Sequence, residues 1–317
     1  MRSTITTFRR FYAVARTSEV GGPEMAPHTP QRSERPGEPG ALLYLLTSVF
    51  LPTSVFQGTV SACDHSVMTS LTAHGEPPRY FTFPVLAAAG LPHASTTRHF
   101  PGVTSPAEPT APFTAEARES LGAVGLDLSR VAYARQMHGA DVAHAITRGG
   151  AAGEVDVLST RASGVPLAIF TADCLAITLW DAEAGALALA HVGWRGTAKG
   201  AAQAAVGAAT ALGARPARLR AVIAPSIGPC CYEVGEPVIG EFTRAFGHAR
   251  WERWTRPSSN GRVMLDLWRA NEDLLAEAGV DPQAIENPRL CTACHPELLY
   301  SYRKGNRGRL VTLAALP

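Results

Sequence analysis

A single mixed α/β domain is the fold this sequence predicts, and three observations predict it. Strand-length apolar runs and segments of helical spacing alternate from Tyr80 to the C-terminus. No fixed internal repeat divides the chain, and no long linker interrupts it after Tyr80. Such alternation buries sheet faces beneath helices in one layered core. The spacing between strands is too irregular to specify a doubly wound sheet.

The N-terminal part stands apart from that pattern. Residues 1–67 are rich in Pro, Ser, Thr and Arg and show no periodic apolar face, so they are expected to be a disordered or non-native extension. "MRSTITTFRRFYAVARTS" has the Arg- and Ser/Thr-rich composition of a transit peptide. Ala41–Phe56 is apolar, but 16 residues with an internal Pro are short for a membrane span. It also lies too far into the chain for an ordinary signal peptide. Globular patterning begins at "TSLTAHGEPPRYFTFPVL", just after Met68, so the domain is assigned to residues 68–317 with Met68 as a candidate start.

Each later element follows from local chemistry. "RVAYARQMHGADVAHA" (130–145) reads as a hairpin or bent strand, and "EVDVLST" (154–160) as a short strand. Pro166–Phe170, Leu175–Trp180 and Ala186–Ala190 are apolar strand-length runs. "DAEAG" (181–185) supplies the turn of a hairpin between the last two. Thr197–Gly213 is an Ala-rich helix, stopped by Gly213 and followed by Pro216. "LRAVIAP" (219–225) is a buried strand. "EVGEPVIGEFTRAFG" (233–247) and "DLWRANEDLLAEAGV" (266–280) carry apolar residues at helical spacing, with Asp266 as N-cap and Gly279 as stop. "GRLVTLAAL" (308–316) closes the fold as a strand.

Composition sets limits on function. The 317 residues are 46% hydrophobic and 18% charged, as in an ordinary globular protein. A formal net charge of +2 gives no reason to invoke nucleic acid or an anionic membrane. Six cysteines in so long a chain do not make a disulfide scaffold. Their placement fits a reducing, cytoplasmic compartment.

The residues with the most chemical content are His138, Cys174 and His191. They stand in "RQMHGADV", "FTADCLAIT" and "LAHVGWRG", each at a strand end or tight turn. Cys174 opens one strand of the expected hairpin and His191 closes the other, which sets them face to face at one end of a sheet. Two imidazoles and a thiolate suit zinc or copper, and three ligands leave a position for water or substrate. The competing reading is a buried thiol with core or surface histidines.

Other motifs carry less. "CTACH" (291–295) matches the attachment signal of c-type haem, but no convincing signal peptide supports export. "HPE" (295–297) near a Cys pair resembles zinc base deaminases, which place that pair downstream of the His rather than upstream. "APSIG" (224–228) is a degenerate nucleophile elbow that runs into Pro229 rather than a helix. No Gly-rich phosphate loop of either common type is present. In "HVGWRGTAKG", Gly193 and Gly196 permit a sharp turn beside His191, and Arg195 with the next helical turn offers donors to an anion; a solvated surface charge is the alternative. "SYRKGNRGR" (301–309) reads mostly as an exposed basic loop.

Taken together, "TTR" (96–98), "RQMHGADV", "TADCLAITLWD", "LAHVGWRGTAKG", "IGPCCYEVG" and "LCTAC…YSYRKGNRGR" resemble the laccase-domain family, the multicopper-polyphenol-oxidase-like group of purine nucleoside phosphorylases. The similarity runs from about Leu91 to Pro317. It implies a single α/β domain that binds zinc through His138, Cys174 and His191. It also implies phosphorolysis of adenosine, inosine, guanosine and S-methyl-5'-thioadenosine, with adenosine deamination. The partners implied are purine nucleosides and phosphate, acting on a monomer or small homo-oligomer. One stretch departs from the family: "HFPGVTSPAEPTAPF" replaces a Gly-Gly turn and an Asn-Leu pair after Arg98, which puts substrate preference in doubt.

Roles follow as expectations. Arg98 is the candidate phosphate clamp, with Arg195 second. Asp173 either orients a ligand imidazole or a water, or forms a buried salt bridge. Cys230 is a candidate lining residue without a covalent role. A copper phenol oxidase and a catalytically silent metal-binding protein are the alternative functions. Blue copper needs a weak axial ligand such as Met, and Met137, adjoining His138, is expected to point away from the metal.

Overall fold

The computed structural model describes residues 71–103, 112–144, 146–258 and 262–317. The expected extension over residues 1–67, the Met68 start and the middle of the divergent stretch after Arg98 lie outside the described residues.

In chain order the strands begin with β1 (Thr72–His74), β2 (Tyr80–Thr82), β3 (His93–Thr96), β4 (Ala132–Tyr133) and β5 (Val142–Ala143). They continue with β6 (Gly150–Ala151), β7 (Val157–Thr160), β8 (Leu167–Thr171), β9 (Leu175–Asp181), β10 (Ala186–Val192) and β11 (Arg220–Ile223). The last are β12 (Glu233–Val234), β13 (Thr255–Pro257), β14 (Val263–Leu265), β15 (Ile285–Glu286) and β16 (Leu310–Ala314). The helices are α1 (Pro84–Ala88), α2 (Ala115–Gly122), α3 (Trp194–Lys199), α4 (Ala201–Ala211), α5 (Glu236–Phe246), α6 (His248–Arg253) and α7 (Leu267–Glu277).

Two mixed sheets carry the architecture. One has the order β1-β2-β3-β16-β8-β4-β6 and the other β15-β11-β9-β10-β7-β5; β12-β14-β13 form a small third sheet. Strand alternation shows how the layers stack. On β8, Leu167 and Ile169 join one core cluster while Ala168 and Phe170 join another. On β10, Leu187 and Leu189 share the first of these clusters, whereas Ala186, Ala188, Ala190 and Val192 pack with the Ala-rich face of α4 and with α7. Period-2 side-chain placement thus gives a helix, sheet, sheet, helix sandwich, and both central strands are buried on two faces. This explains their nearly continuous apolar composition.

The hairpin forms as expected, with β9 and β10 antiparallel and His191 opposite Ala176. Asp266 caps α7 by accepting from the Arg269 amide at 2.9 Å. Two local expectations are corrected. Of the two readings of this segment the hairpin fails, because residues 130–144 do not fold back on themselves: β4 pairs parallel with β8 in the first sheet, and β5 pairs parallel with β7 in the second. The Ala-rich helix is two helices, α3 and α4, broken at Gly200, whose φ of 85° lies in the left-handed region that glycine tolerates. Among the described residues, no helix is long and apolar enough to cross a membrane.

Candidate metal centre and its cleft

The chain passes between the two sheets twice at the same place. After β8 it leaves the first sheet through Ala172 and Asp173 and enters the second at β9, starting beside Cys174. Between β4 and β5 it makes the same passage through His138. Tight reversals force unusual backbone at both points: His138 has φ 57° and Asp173 has φ 88°. Side chains other than glycine hold such angles only where the surroundings fix them, and such strain gathers at functional sites.

His138, Cys174 and His191 converge at the mouth of the gap between the sheets. Their ligand atoms lie within 4.8 Å of one another. The two imidazoles meet edge-on, with centroids 4.8 Å apart at 77°. His191 is buried on the inter-sheet row that begins with Leu187 and Leu189. Gly193 is required here, because a Cβ at that position would sit 2.7 Å from Cys174 Sγ and 3.4 Å from His138 Cδ2.

Asp156, which was not singled out from the sequence, braces the cluster. Its fully buried carboxylate accepts His191 Nδ1–H at 2.7 Å and the backbone amides of Met137, His138 and Gly139 at 3.1, 2.9 and 2.7 Å. These bonds pin the strained turn at His138 and leave His191 Nε2 to face Cys174. A carboxylate behind a ligand imidazole fixes ring orientation and raises its basicity. The only signal in the sequence was an acid inside the apolar strand "EVDVL".

Charge follows this geometry. Burial opposes the Cys174 thiolate, but hydrogen bonds from His138 and His191 outweigh it and bring the thiol down to about 6. Burial likewise opposes the His191 imidazolium, yet Asp156 and Cys174 raise it to about 9. Burial also opposes the Asp156 carboxylate, while His191 and the amides of Gly139 and Met137 hold it below the usual range. The two imidazoles thus favour the thiolate form of Cys174, the form that binds metal. Two imidazoles and one thiolate, converging with one side open, fit a zinc ion with a fourth position left for another ligand.

That open side is a cleft of about 640 Å³, in the range of small-molecule sites. Phe170, Trp194, Tyr232 and Tyr302 supply aromatic walls, and Arg195, Arg303 and Arg309 line it with positive charge. Arg195 lies over the Trp194 ring at 4.2 Å, and Arg303 lies over Tyr232 at 5.4 Å. Among the described residues, none of these three guanidinium groups forms an ion pair. The acidic side chain in the wall, Asp173, is already engaged. It accepts the Thr292 hydroxyl at 2.6 Å and the Arg303 amide at 2.8 Å. Gln136 ties the end of β8 to the His138 turn, exchanging hydrogen bonds of 2.7 and 2.8 Å with the Phe170 backbone.

The structure thus brings His138, Cys174, His191, Asp173 and Arg195 together around one cleft. Arg98 is not brought there. Its guanidinium donates to the Pro296 carbonyl and lies 5.4 Å from the centre of the Tyr300 ring. Cys230 does not line the cleft either; its sulfur packs against Cys294 at 3.4 Å. Asp173 steadies the Arg303 loop, while the imidazole-orienting carboxylate is Asp156. Met137 is 46% exposed and is not among the residues that line the cleft. Ser226 of the elbow-like turn is fully buried and accepts the Trp268 indole N–H at 2.7 Å, which leaves no exposed nucleophile. Arg303 and Arg309, read from the sequence as part of an exposed basic loop, line the cleft.

Comparison with known proteins identifies the family. Residues 111–317 match the family described as multi-copper polyphenol oxidoreductase laccase. The chain is 38% identical over 253 residues to a purine nucleoside phosphorylase of Deinococcus radiodurans, covering 74% of this chain and 93% of the relative. It is 34% identical over 200 residues to adenosine deaminase RL5 of an unknown prokaryotic organism, covering 60% and 76%. The solved structure of YlmD from Geobacillus stearothermophilus superposes with a TM-score of 0.67 at 30% identity, covering 77% of this chain and 98% of that one. The chain belongs to the laccase-domain family, whose members include proteins named as purine nucleoside phosphorylases and an adenosine deaminase.

Proposed function

We propose that this laccase-domain protein is a zinc-dependent purine nucleoside phosphorylase that also deaminates adenosine. The observation that carries the reading is the cleft itself. One wall holds a three-ligand cluster with an open side, and the facing walls hold aromatic rings and guanidinium groups free of ion pairs. Rings stack on a purine, and cations hold an oxyanion nucleophile such as phosphate.

His138, Cys174 and His191 would hold the ion, which when bound supplies Lewis acidity toward a water or a substrate oxygen. The protein's own groups do the rest. Asp156 keeps His191 in one orientation and spares it from turning when a ligand arrives. Arg195, with Arg303 and Arg309, positions phosphate for attack on the ribose C1′ and offsets its charge. Asp173 holds the Arg303 loop through its backbone amide and so sets where that guanidinium reaches. Adenosine, inosine, guanosine and S-methyl-5'-thioadenosine are the proposed substrates, all sharing the purine that the rings would stack on.

The test is metal analysis of protein purified without added metal, paired with assays of inosine phosphorolysis and adenosine deamination. One zinc associated with Cys174, together with phosphate-dependent release of hypoxanthine, is the expected result. Copper with phenol oxidation, or no turnover of any purine nucleoside by zinc-loaded protein, would overturn it.

A further inference from the structure

Away from the cleft, the chain gathers a second set of soft ligands. Cys230 and Cys231 lie on the turn between β11 and β12, and Cys291 and Cys294 on the turn between β15 and β16. Some sixty residues separate the pairs, yet all four sulfurs lie within 4.8 Å of one another. Cys230 Sγ and Cys231 Sγ stand 3.4 and 3.5 Å from Cys294 Sγ. A disulfide needs about 2.05 Å, so neither contact is one. Metal–sulfur bonds of about 2.3 Å give a tetrahedron with edges of about 3.8 Å, close to the observed spacing.

The two turns are fastened together before any sulfur is considered. Ser226 and Cys291 form a parallel bridge, with the Thr292 amide donating to the Ser226 carbonyl at 3.0 Å. The Gly228 amide donates to Cys291 Sγ at 3.2 Å, and the amides of Ala293 and Cys294 also act on that sulfur. A cation stands beside this turn: Arg256 donates to the Pro229 carbonyl at 3.1 Å.

We infer that Cys230, Cys231, Cys291 and Cys294 form a second metal site, closed by four thiolates and suited to zinc. Four protein ligands leave no position for substrate, so this site is structural. Its place says what it would hold. Tyr232, next to Cys231, lines the cleft, and Thr292, next to Cys291, donates to Asp173. An ion here would clamp two walls of the cleft from behind.

Cys230, Cys231 and Cys291 are free thiols, whereas Cys294 is disulfide-bonded. The metal-binding form is therefore the reduced one. A dithiol reductant reaches it by exchange: its two thiols become a disulfide, and both half-cystines leave as thiols. Zinc then replaces the four thiol protons.

The test uses the Cys174→Ser protein, which lacks a ligand of the first site, reduced and freed of metal. Added zinc should be retained at one equivalent through gel filtration and should raise the melting temperature. Added cobalt should give the intense charge-transfer absorption of several thiolates. Cys291→Ser and the milder, half-buried Cys230→Ser, each in the same background, should abolish retention. Without reductant, retention should fall away. The inference is overturned if reduced Cys174→Ser protein retains no zinc, if Cys230→Ser retains it undiminished, or if the unreduced protein binds it equally well.

Discussion

Two sulfur-bearing clusters, one lining the cleft and one next in sequence to its residue Tyr232, differ in what surrounds them. At His138, Cys174 and His191, three donors of mixed type converge where the two sheets part, and one side opens into about 640 Å³ of lined space. At Cys230, Cys231, Cys291 and Cys294, four sulfurs close on one another between two bridged turns, and none lines the cleft. The first cluster is braced by a buried carboxylate, the second by backbone amides. Donor count and access, rather than the presence of cysteine, separate a centre fit for chemistry from one fit for holding structure.

The largest expected effect breaks the first cluster alone. Cys174→Ala should remove its metal and abolish phosphorolysis and deamination, while circular dichroism and the four-cysteine cluster stay intact. Metal analysis with both assays checks this. Full activity in the variant would show that the open cluster is not the reacting centre.

Next in size is the brace. Asp156→Asn keeps the volume but removes the charge behind His191 and cannot satisfy every amide of the 137–139 turn. Metal affinity at the first cluster should fall by about 10- to 100-fold. Stability should also drop by about 1–3 kcal/mol, since buried donors lose their acceptor. Zinc titration and thermal melts separate the two losses. A melt shift with unchanged zinc affinity would make Asp156 a purely structural residue.

These residues also mark where the sequence could be read. The β9–β10 hairpin was legible because two buried runs flank a turn segment, and its register brings Cys174 and His191 to the same end of the sheet, although His191 pairs with Ala176 rather than with Cys174. Asp156 was not legible, because its meaning lies in amides at 137–139 that fold back onto it. The break at Gly200 was hidden because a single glycine costs a helix only about 1 kcal/mol and does not by itself end one. Arg303 and Arg309 looked like ordinary surface charge, since the link from Arg303 to Asp173 spans 130 residues. The four cysteines were visible as two pairs, but the contacts that join them, the Ser226–Cys291 bridge and the Gly228 amide on Cys291 Sγ, form only in the folded chain.

The cationic wall gives a smaller, sharper contrast. Arg195→Ala should raise the phosphate KM by roughly ten- to hundredfold, the value of a charged hydrogen-bonding group. Arg195→Lys should recover only part, because an ammonium lacks the two-pronged geometry. Arg98→Ala should leave the phosphate KM nearly unchanged, because Arg98 does not line the cleft and its guanidinium donates to the Pro296 carbonyl instead. Deamination, which uses water, should respond less than phosphorolysis to Arg195→Ala. Equal losses in both reactions would assign Arg195 to the nucleoside.

The smallest effect lies at the far end of the hairpin and serves as a control on both clusters. Asp181 closes β9 opposite the metal end, with its side chain 1% exposed. Burial pushes its carboxyl up, but the amides of Arg215 and Ala184 and the Arg218 guanidinium outweigh that and hold it below its ordinary value of 3.8. A depressed carboxyl contributes stability that is fully present above the unfolded value and is lost as pH falls through the folded one. Asp181→Asn should therefore cost about 1–2 kcal/mol near neutral pH. The gap between the two melting curves should narrow as pH falls below 3.8. Zinc affinity and KM should not move, because the hairpin is held along its length by neighbouring strands on both sides. A change in zinc affinity in this variant would mean that the turn at one end of the hairpin sets the spacing of Cys174 and His191 at the other.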